Sequence, residues 1–341
     1  MLEIDGSEGG GQVLRTALSL AAITDTPFRI EEIRGSRPNP GLRPQHLTAV
    51  EVVADLCDAS VEDAELGAES ITFEPGGEWH TDLAADVGTA GSVTLLLDAV
   101  LPVAATLEEP VTVEATGGTN VKWSPTVEYL QQVKLPLLAR YGLDASVAVE
   151  RTGFYPEGGG RVTLDTRPSA LRAIELGTRG DLEAVEVHSI ASESLAEQEV
   201  AERQADRAEE LLVAADCPAT VERVENVESD CPGSSLLLRG VYDDTIVGVD
   251  ELGEPGLPAE DVAQQAVDAF ERVHESPGAV DGHMADQLVV FLALAGGAVR
   301  IPAVTDHVET NLALVQQFGS DLALREDGDG PVLHGTSLRA R

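Results

Sequence analysis

Three stretches of this chain share one pattern of apolar and polar positions. Each opens on glycine and runs into apolar residues spaced i, i+3 and i+4: GGGQVLRTALSLAAI, GTAGSVTLLLDAVLPVAA and DGHMADQLVVFLALAGG. That spacing predicts a helix. Short strands follow, PFRIEEIR, PVTVEATGG and AVRIPAV, with Pro27 and Pro110 just ahead of the first two. A second helical pattern comes next in each copy: PQHLTAVEVVADLCDA, SPTVEYLQQVKLPLLARYG and DHVETNLALVQQFG. Pro44 and Pro125 stand near the starts of two of these helices, where a missing N–H costs nothing. Alternating strand material closes each copy: SITFEP, ASVAVERTGFYPEGGGRVTLD, and DLALRED with PVLHG. The pattern predicts an α/β (α+β) protein whose core is three repeated βαβαββ-type units.

The spacing of the copies is uneven. Roughly one hundred extra residues separate the second from the third, enough for a small α/β domain of their own. The expected division is 1–177 for the first two units, 178–275 for the insert and 276–341 for the third unit. Within the insert the pattern predicts strands at 184–190, 220–225 and 235–242 and helices at 195–215 and 259–274. The insert is strongly acidic, which reads as solvated surface, and no chemistry is assigned to it.

Charge changes the picture next. The 341 residues carry 60 acids against 22 bases, a formal net charge of −38, and the lysines are Lys122 and Lys134 alone. Such a coat keeps a protein hydrated in a salt-loaded cytoplasm and speaks to solubility, not fold. It does not exclude a polyanionic partner, because at molar salt the Debye length is about 3 Å and only local charge counts. Cys57, Cys217 and Cys231 are widely spaced and form neither a zinc pattern nor a disulfide framework. No run approaches the roughly 18 apolar residues of a membrane span, and the N-terminus lacks a secretory pattern. The expectation is a cytoplasmic protein without a membrane partner, with a homodimer permitted.

Five loops offer chemistry. In DGSEGGGQVLR, three glycines feed a helix, leaving backbone N–H groups to face a phosphate, and Glu8 offers a carboxylate to a divalent ion. The loop from Arg34 to His46 carries Arg34, Arg37 and Arg43 with no acid, in a chain otherwise rich in acids, and arginine's planar fork suits phosphate oxygens. In GGTNVKWSP, Lys122 stands beside Trp123. Two readings stay open there: a base or ribose stacks on the indole while the Lys122 ammonium meets phosphate, or the indole covers the edge of the core. The segment GFYPEGGGR reads as a tight connection between strands. Finally, Thr305, Asp306 and His307 stand at a helix mouth with Asn311 one turn in, and neutral imidazole is a good nucleophile near pH 7. Asp306 is poorly placed to orient its neighbour. Asp286 and Gln287, at the mouth of the preceding helix, suit a ribose or a purine edge.

Taken together these stretches resemble the RNA 3′-terminal phosphate cyclases. The resemblance is carried in order by DGSEGGGQVLRTALSLA, RPNPGLRPQHLTAV, GTAGSVTLLL, GGTNVKWSPTVEYL, GFYPEGGGRV, HMADQLVVFLALAGG and DHVETNLALV. It implies three core repeats plus one inserted α/β domain, and a reaction in three steps. His307 attacks the α-phosphorus of ATP to give a histidine–AMP adduct. AMP then passes to an RNA 3′-phosphate, and the neighbouring 2′-hydroxyl closes a 2′,3′-cyclic phosphate. The resemblance further implies that Glu8 binds Mg²⁺ or Mn²⁺, that His283, Met284, Ala285, Asp286 and Gln287 contact the nucleotide, and that Arg15, Arg37, Arg43, Gln45 and His46 line the phosphate and RNA end.

One position departs from the family pattern. Asp98 stands where glutamine usually contacts ATP, so either the carboxylate meets the sugar or nucleotide affinity or selectivity differs. Two rival readings remain: a non-catalytic relative that scaffolds ribosomal RNA processing, opposed by the retention of His307, Glu8, Asp286 and Gln287, and an enolpyruvyl transferase, which two lysines and three unequal copies fit poorly.

Overall fold

The computed structural model describes residues 1–88 and 91–338; Thr89 and Ala90, in the GTAGSVTLLL stretch, lie outside the described residues. The architecture is mixed α/β, as expected. The chain begins with β1 (Leu2–Asp5), α1 (Gly11–Thr24), β2 (Phe28–Glu31), α2 (Pro44–Leu56), β3 (Ser60–Glu62) and β4 (Ile71–Glu74). These strands form a sheet in the order β1-β2-β4-β3, with β1 parallel to β2 and the other pairs antiparallel.

The next elements are β5 (Asp82–Asp86), α3 (Val93–Ala104) and β6 (Val111–Gly117), then α4 (Val127–Tyr129), which runs through a π-helical turn (Leu130–Lys134) into α5 (Leu135–Ala139), then β7 (Asp144–Arg151) and β8 (Gly160–Arg167). Their sheet order is β5-β6-β8-β7, with the same parallel first pair. Burial alternates along β6 and β8, so one face of this sheet packs inward.

β9 (Ile174–Leu176) comes next, followed by β10 (Leu182–Ser192), a 3₁₀ turn (Glu193–Gln198), α6 (Val200–Ala214), β11 (Ala219–Val227), β12 (Ser234–Tyr242), β13 (Ile246–Leu252) and α7 (Ala259–Glu275). The sheet β11-β10-β12-β13 packs on α6 and α7 around a small apolar core of its own, centred on Val187, Leu212, Leu238 and Phe270. The chain closes with α8 (Gly282–Ala295), β14 (Gly297–Arg300), α9 (Asp306–Gln317), β15 (Ala323–Asp327) and β16 (Gly330–Gly335). These strands pair in the order β15-β16-β14-β9, with β14 parallel to β9.

Several boundaries differ from the pattern-based expectation, each for a local reason. β9 lies in the segment grouped with the first two units but pairs with β14; its three residues are too short to show a period. The first insert helix starts at Val200 rather than 195, because Glu199 takes a left-handed φ of 50° that ends the 3₁₀ turn. β13 was not anticipated. α8 begins at Gly282, where the Asp281 side chain accepts from Met284 N at 2.9 Å, so Asp286 and Gln287 stand one turn inside the helix and not at its mouth.

One apolar cluster runs continuously from Ile4 to Leu333, with Leu237 and Ile246 of the insert sheet reaching into it. At its centre is α1, buried on nearly all sides from Val13 onward, packed against α2, α3 and α9. A helix that is buried all round has no solvent face to spare for polar residues. Ser19 and Thr24 spend their hydroxyls on backbone carbonyls, while Gln12, Arg15 and Thr16 gather at the N-terminal end, where the site lies.

Candidate active site

Two hydrogen-bonded rungs fasten α1 to α9. Gln12 Oε1 lies 2.6 Å from His307 Nδ1, and one turn deeper Thr16 Oγ1 donates to Asn311 Oδ1 at 2.8 Å in a buried bond. Both pairs follow i, i+4 spacing, so each helix presents one face to the other. Asn311 Nδ2 donates in turn to the Asp286 carbonyl at 3.3 Å, which ties α8 into the same junction. A Gln Oε1 can only accept, so the Nδ1–H of His307 donates to it, and in the neutral ring Nε2 is then the nitrogen with the lone pair. The half-exposed ring lines the cleft, held from behind by this bond.

These residues open on a cleft of about 980 Å³ lined by Gln12, Arg15, Asp98, His283, Asp286, Gln287 and His307 among others. The electrostatics are tense. Burial raises the Asp286 carboxyl to about 6, against the pull of His283 and His307, and its Oδ2 lies 4.0 Å from His307 Nδ1. Burial also lowers the Arg15 guanidinium, while Asp98 and Asp286 hold its charge in place. Asp98 is not alone: Lys134, buried on the π-helical turn, meets it at 2.5 Å and lies over the Phe291 ring. Gln287 Oε1 is buried without a hydrogen-bond partner among the described residues. Such an acceptor costs free energy until something donates to it.

A second group gathers at the glycine-rich entry to α1. Gly9 and Gly10 take left-handed φ of 71° and 64°, which folds the loop back against Thr310 of α9 and opens the backbone toward the arginine loop. A methyl built on Gly11 would fall 2.2 Å from His46 Nε2 and 3.1 Å from Arg15 Nη1, and one built on Gly10 would fall 3.2 Å from Arg37 Nη2. The side chains of Arg15, Arg37 and Arg43 pair with no acid or carbonyl among the described residues. In a chain with 60 acids and 22 bases, Arg15 and Arg37 meeting at the N-terminus of α1, with Arg43 capping α2 nearby in the same loop as Arg37, are arranged for an anion. Burial, and then Arg15, Arg34 and Arg43, drive His46 down to about 3. It is a neutral imidazole: Nδ1 accepts from Arg43 N at 3.2 Å, which leaves Nε2–H as a donor.

Of the residues singled out from sequence, the cleft wall brings together Arg15, Asp98, His283, Asp286, Gln287 and His307. Met284 and Ala285 turn away into the core. Arg37 and His46 lie at the glycine loop. Gln45 Oε1 is taken up by Ser92 N at 3.3 Å. Glu8 is exposed on the loop itself. Sequence reasoning missed Gln12, Lys134 and Asp281. Gln12 was findable: it shares a helix face with Arg15 and Thr16, and it is a lone neutral polar residue opening an apolar helix. Lys134 and Asp281 act through partners distant in sequence, which spacing does not reveal.

Comparison with known proteins places these observations. A family model described as RNA 3′-terminal phosphate cyclase matches residues 6–321. A protein of that name from Halobacterium salinarum is 44% identical, over 97% of this chain and 98% of its own length. Another from Methylococcus capsulatus is 42% identical, covering 98% and 97%, and one from Pyrococcus furiosus is 39% identical, covering 93% of each chain.

Proposed function

This chain belongs to the RNA 3′-terminal phosphate cyclase family, and from that membership and the geometry of the cleft we propose that it cyclises RNA 3′-phosphates through a His307–AMP intermediate. The observation that carries the proposal is the Gln12–His307 bond, which leaves Nε2 as the free nucleophilic nitrogen at the cleft wall. Nε2 attacks the α-phosphorus of ATP; the N–P bond forms as the bond to the bridging oxygen breaks, and pyrophosphate leaves. The ring then carries a positive charge, with its Nδ1 proton held by Gln12 and the Asp286 carboxylate 4.0 Å away to balance it. An oxygen of the RNA 3′-phosphate next attacks the adenylyl phosphorus and returns His307 to its neutral form. The 2′-hydroxyl then attacks the 3′-phosphorus, losing its proton to solvent, and AMP leaves with the bonding electrons.

Arg15 and Gln287 flank the nucleotide, and Asp98 is available to ribose hydroxyls. Its charge is already balanced by Lys134, so the carboxylate at this position does not repel the phosphates as an isolated one would. The unpaired Arg37 and Arg43, with the Nε2–H of His46, are suited to the RNA 3′-phosphate. Among the described residues no cluster of three metal-ligating side chains exists. Glu8, an exposed carboxylate on the glycine loop, would hold Mg²⁺ or Mn²⁺, and such an ion would supply positive charge to offset that of the phosphates. Residues 178–275 are read as a separate inserted domain, which brings Asp250 and Glu254 to the cleft.

The test is to incubate the protein in high salt with Mg²⁺ and ATP labelled at the α-phosphate, then denature it. Wild type is expected to retain label that is stable to base and labile to acid, and His307→Ala to retain none. An unlabelled wild type that still binds RNA would replace the cyclase with an RNA-binding scaffold.

A further inference from the structure

Trp123 is 89% exposed, more than any other large apolar side chain among the described residues. Its φ of 65° is left-handed, a conformation that L side chains adopt at a cost. An indole normally hides most of its surface. Here the fold bears two penalties and gains no packing from the ring. The loop is nonetheless firmly held. Ser124 Oγ donates to the Val121 carbonyl at 3.1 Å, and Thr126 N donates to Asp250 Oδ2 at 2.6 Å. Beside it, Lys122 pairs with Glu254 at 2.7 Å and lies 5.7 Å from the ring centroid of Tyr155, itself 45% exposed on the β7–β8 connection. Lys122, Trp123, Ser124 and Pro125 line the same cleft as His307.

We propose that Trp123, with Tyr155 beside it, is the stacking platform for the nucleobases of the RNA strand leading to the reacting 3′ end. This rests on the cyclase reading above. Electrostatics do not recruit a strand to this part of the cleft, because Asp250, Glu251 and Glu254 line it and Lys122 is already neutralised. An exposed π face is what it offers, and stacking tolerates any base. In molar salt the counterion-release contribution to nucleic-acid binding fades and phosphate attraction is screened to about 3 Å, whereas stacking persists. The adenine of ATP is a poor occupant. A small ligand needs burial on most sides, and an indole this open gives it one; the apolar wall of Leu95, Pro125, Val290 and Phe291 is the enclosed part of the same cleft.

The experiment compares wild type, Trp123→Ala and Trp123→Phe on a 3′-phosphorylated hexaribonucleotide and on a nucleoside 3′-phosphate, alongside self-labelling by ATP in the absence of RNA. For Trp123→Ala, KM for the hexamer is expected to rise roughly 5- to 100-fold, with the nucleoside 3′-phosphate and self-labelling altered less than about twofold; Trp123→Phe should recover most of the loss. Because Trp79 is the other tryptophan, a Trp79→Phe protein reports Trp123 fluorescence alone, and the hexamer should quench it while ATP does not. An unchanged KM for the hexamer without quenching overturns the platform and leaves the cyclase reading intact. Quenching by ATP with slowed self-labelling also overturns it, giving the indole to the nucleotide. Should wild type neither label nor cyclise, the cyclase reading fails, and the quench titration with the hexamer still decides whether Trp123 meets RNA.

Discussion

Two aspartates at the N-terminal end of α8, five residues apart, are both raised by desolvation, Asp281 fully buried and Asp286 only partly so, and their surroundings are opposites. Asp281 at the N-cap is fully occupied. Its Oδ1 accepts from Tyr129 OH at 2.7 Å and Met284 N at 2.9 Å, and its Oδ2 from Gly248 N at 2.9 Å. One carboxylate thus joins α4, β13 and α8. The side chain of Asp286, one turn on, accepts no hydrogen bond among the described residues and has only the 4.0 Å approach of His307. On this stretch the aspartate that builds the fold is paired within it, and the one at the cleft wall is left with unmet hydrogen bonds. Gln287 Oε1 falls on the same side of that division as Asp286.

The largest effect expected from breaking this contrast is at Asp281. In Asp281→Asn the amide NH₂ must face one of three donors, so at least one buried N–H or O–H loses its acceptor. That costs roughly 2–4 kcal/mol. Denaturant unfolding should show the loss as a lower midpoint. His307 self-labelling should also fall, because α8 loses its anchor to Tyr129 and Gly248. A midpoint within experimental scatter of wild type would mean that the three-way junction contributes nothing.

Asp286→Asn should act in the reverse direction on stability. A carboxyl held at about 6 instead of 3.8 binds its proton more tightly when folded than unfolded, so its contribution is full below 3.8 and lost as pH rises through about 6. At pH 7 the buried charge costs the wild type about 3 kcal/mol at most. The variant should therefore melt higher than wild type at pH 7, and the two should converge as pH falls toward 4. Self-labelling should drop about 10- to 100-fold. A variant that melts lower at pH 7, or labels as fast as wild type, would place Asp286 with the structural acids.

How much of this was legible beforehand follows the same line. The helices and most of the longer strands announce themselves through periodicity, which is a local signal, and an arginine-rich loop stands out as locally in an acidic chain. Asp98 looked like a liability in the sequence; only the fold supplies Lys134 from a π-helical turn to balance it. Asp281 carries no signal in the sequence because two of its donors come from Tyr129 and Gly248, distant along the chain. Met284 and Ala285 were grouped with their neighbours as contacts, yet helical geometry turns two of five consecutive residues into the core. Spacing locates a site. It does not say which of its residues face inward.

The smallest effect, and the finest test of the contrast, is at Gln12. Its side chain belongs to neither class cleanly: it is paired, but its partner is the nucleophile. Removing it in Gln12→Ala leaves the Thr16–Asn311 rung to hold α1 and α9 together, so stability should change by less than about 1 kcal/mol. The imidazole, however, is no longer held in one tautomer, and about a tenfold loss in the self-labelling rate is expected, with KM for ATP within twofold. Gln12→Glu restores an acceptor of the same length and adds a negative charge, which favours the protonated ring. Its rate should recover toward wild type at high pH and fall below it as pH drops, moving the acid limb of the profile upward. A merely structural glutamine would lower both variants equally at every pH. The split between alanine and glutamate, and its dependence on pH, therefore decides whether α1 only carries the glycine loop or also sets the tautomer of His307.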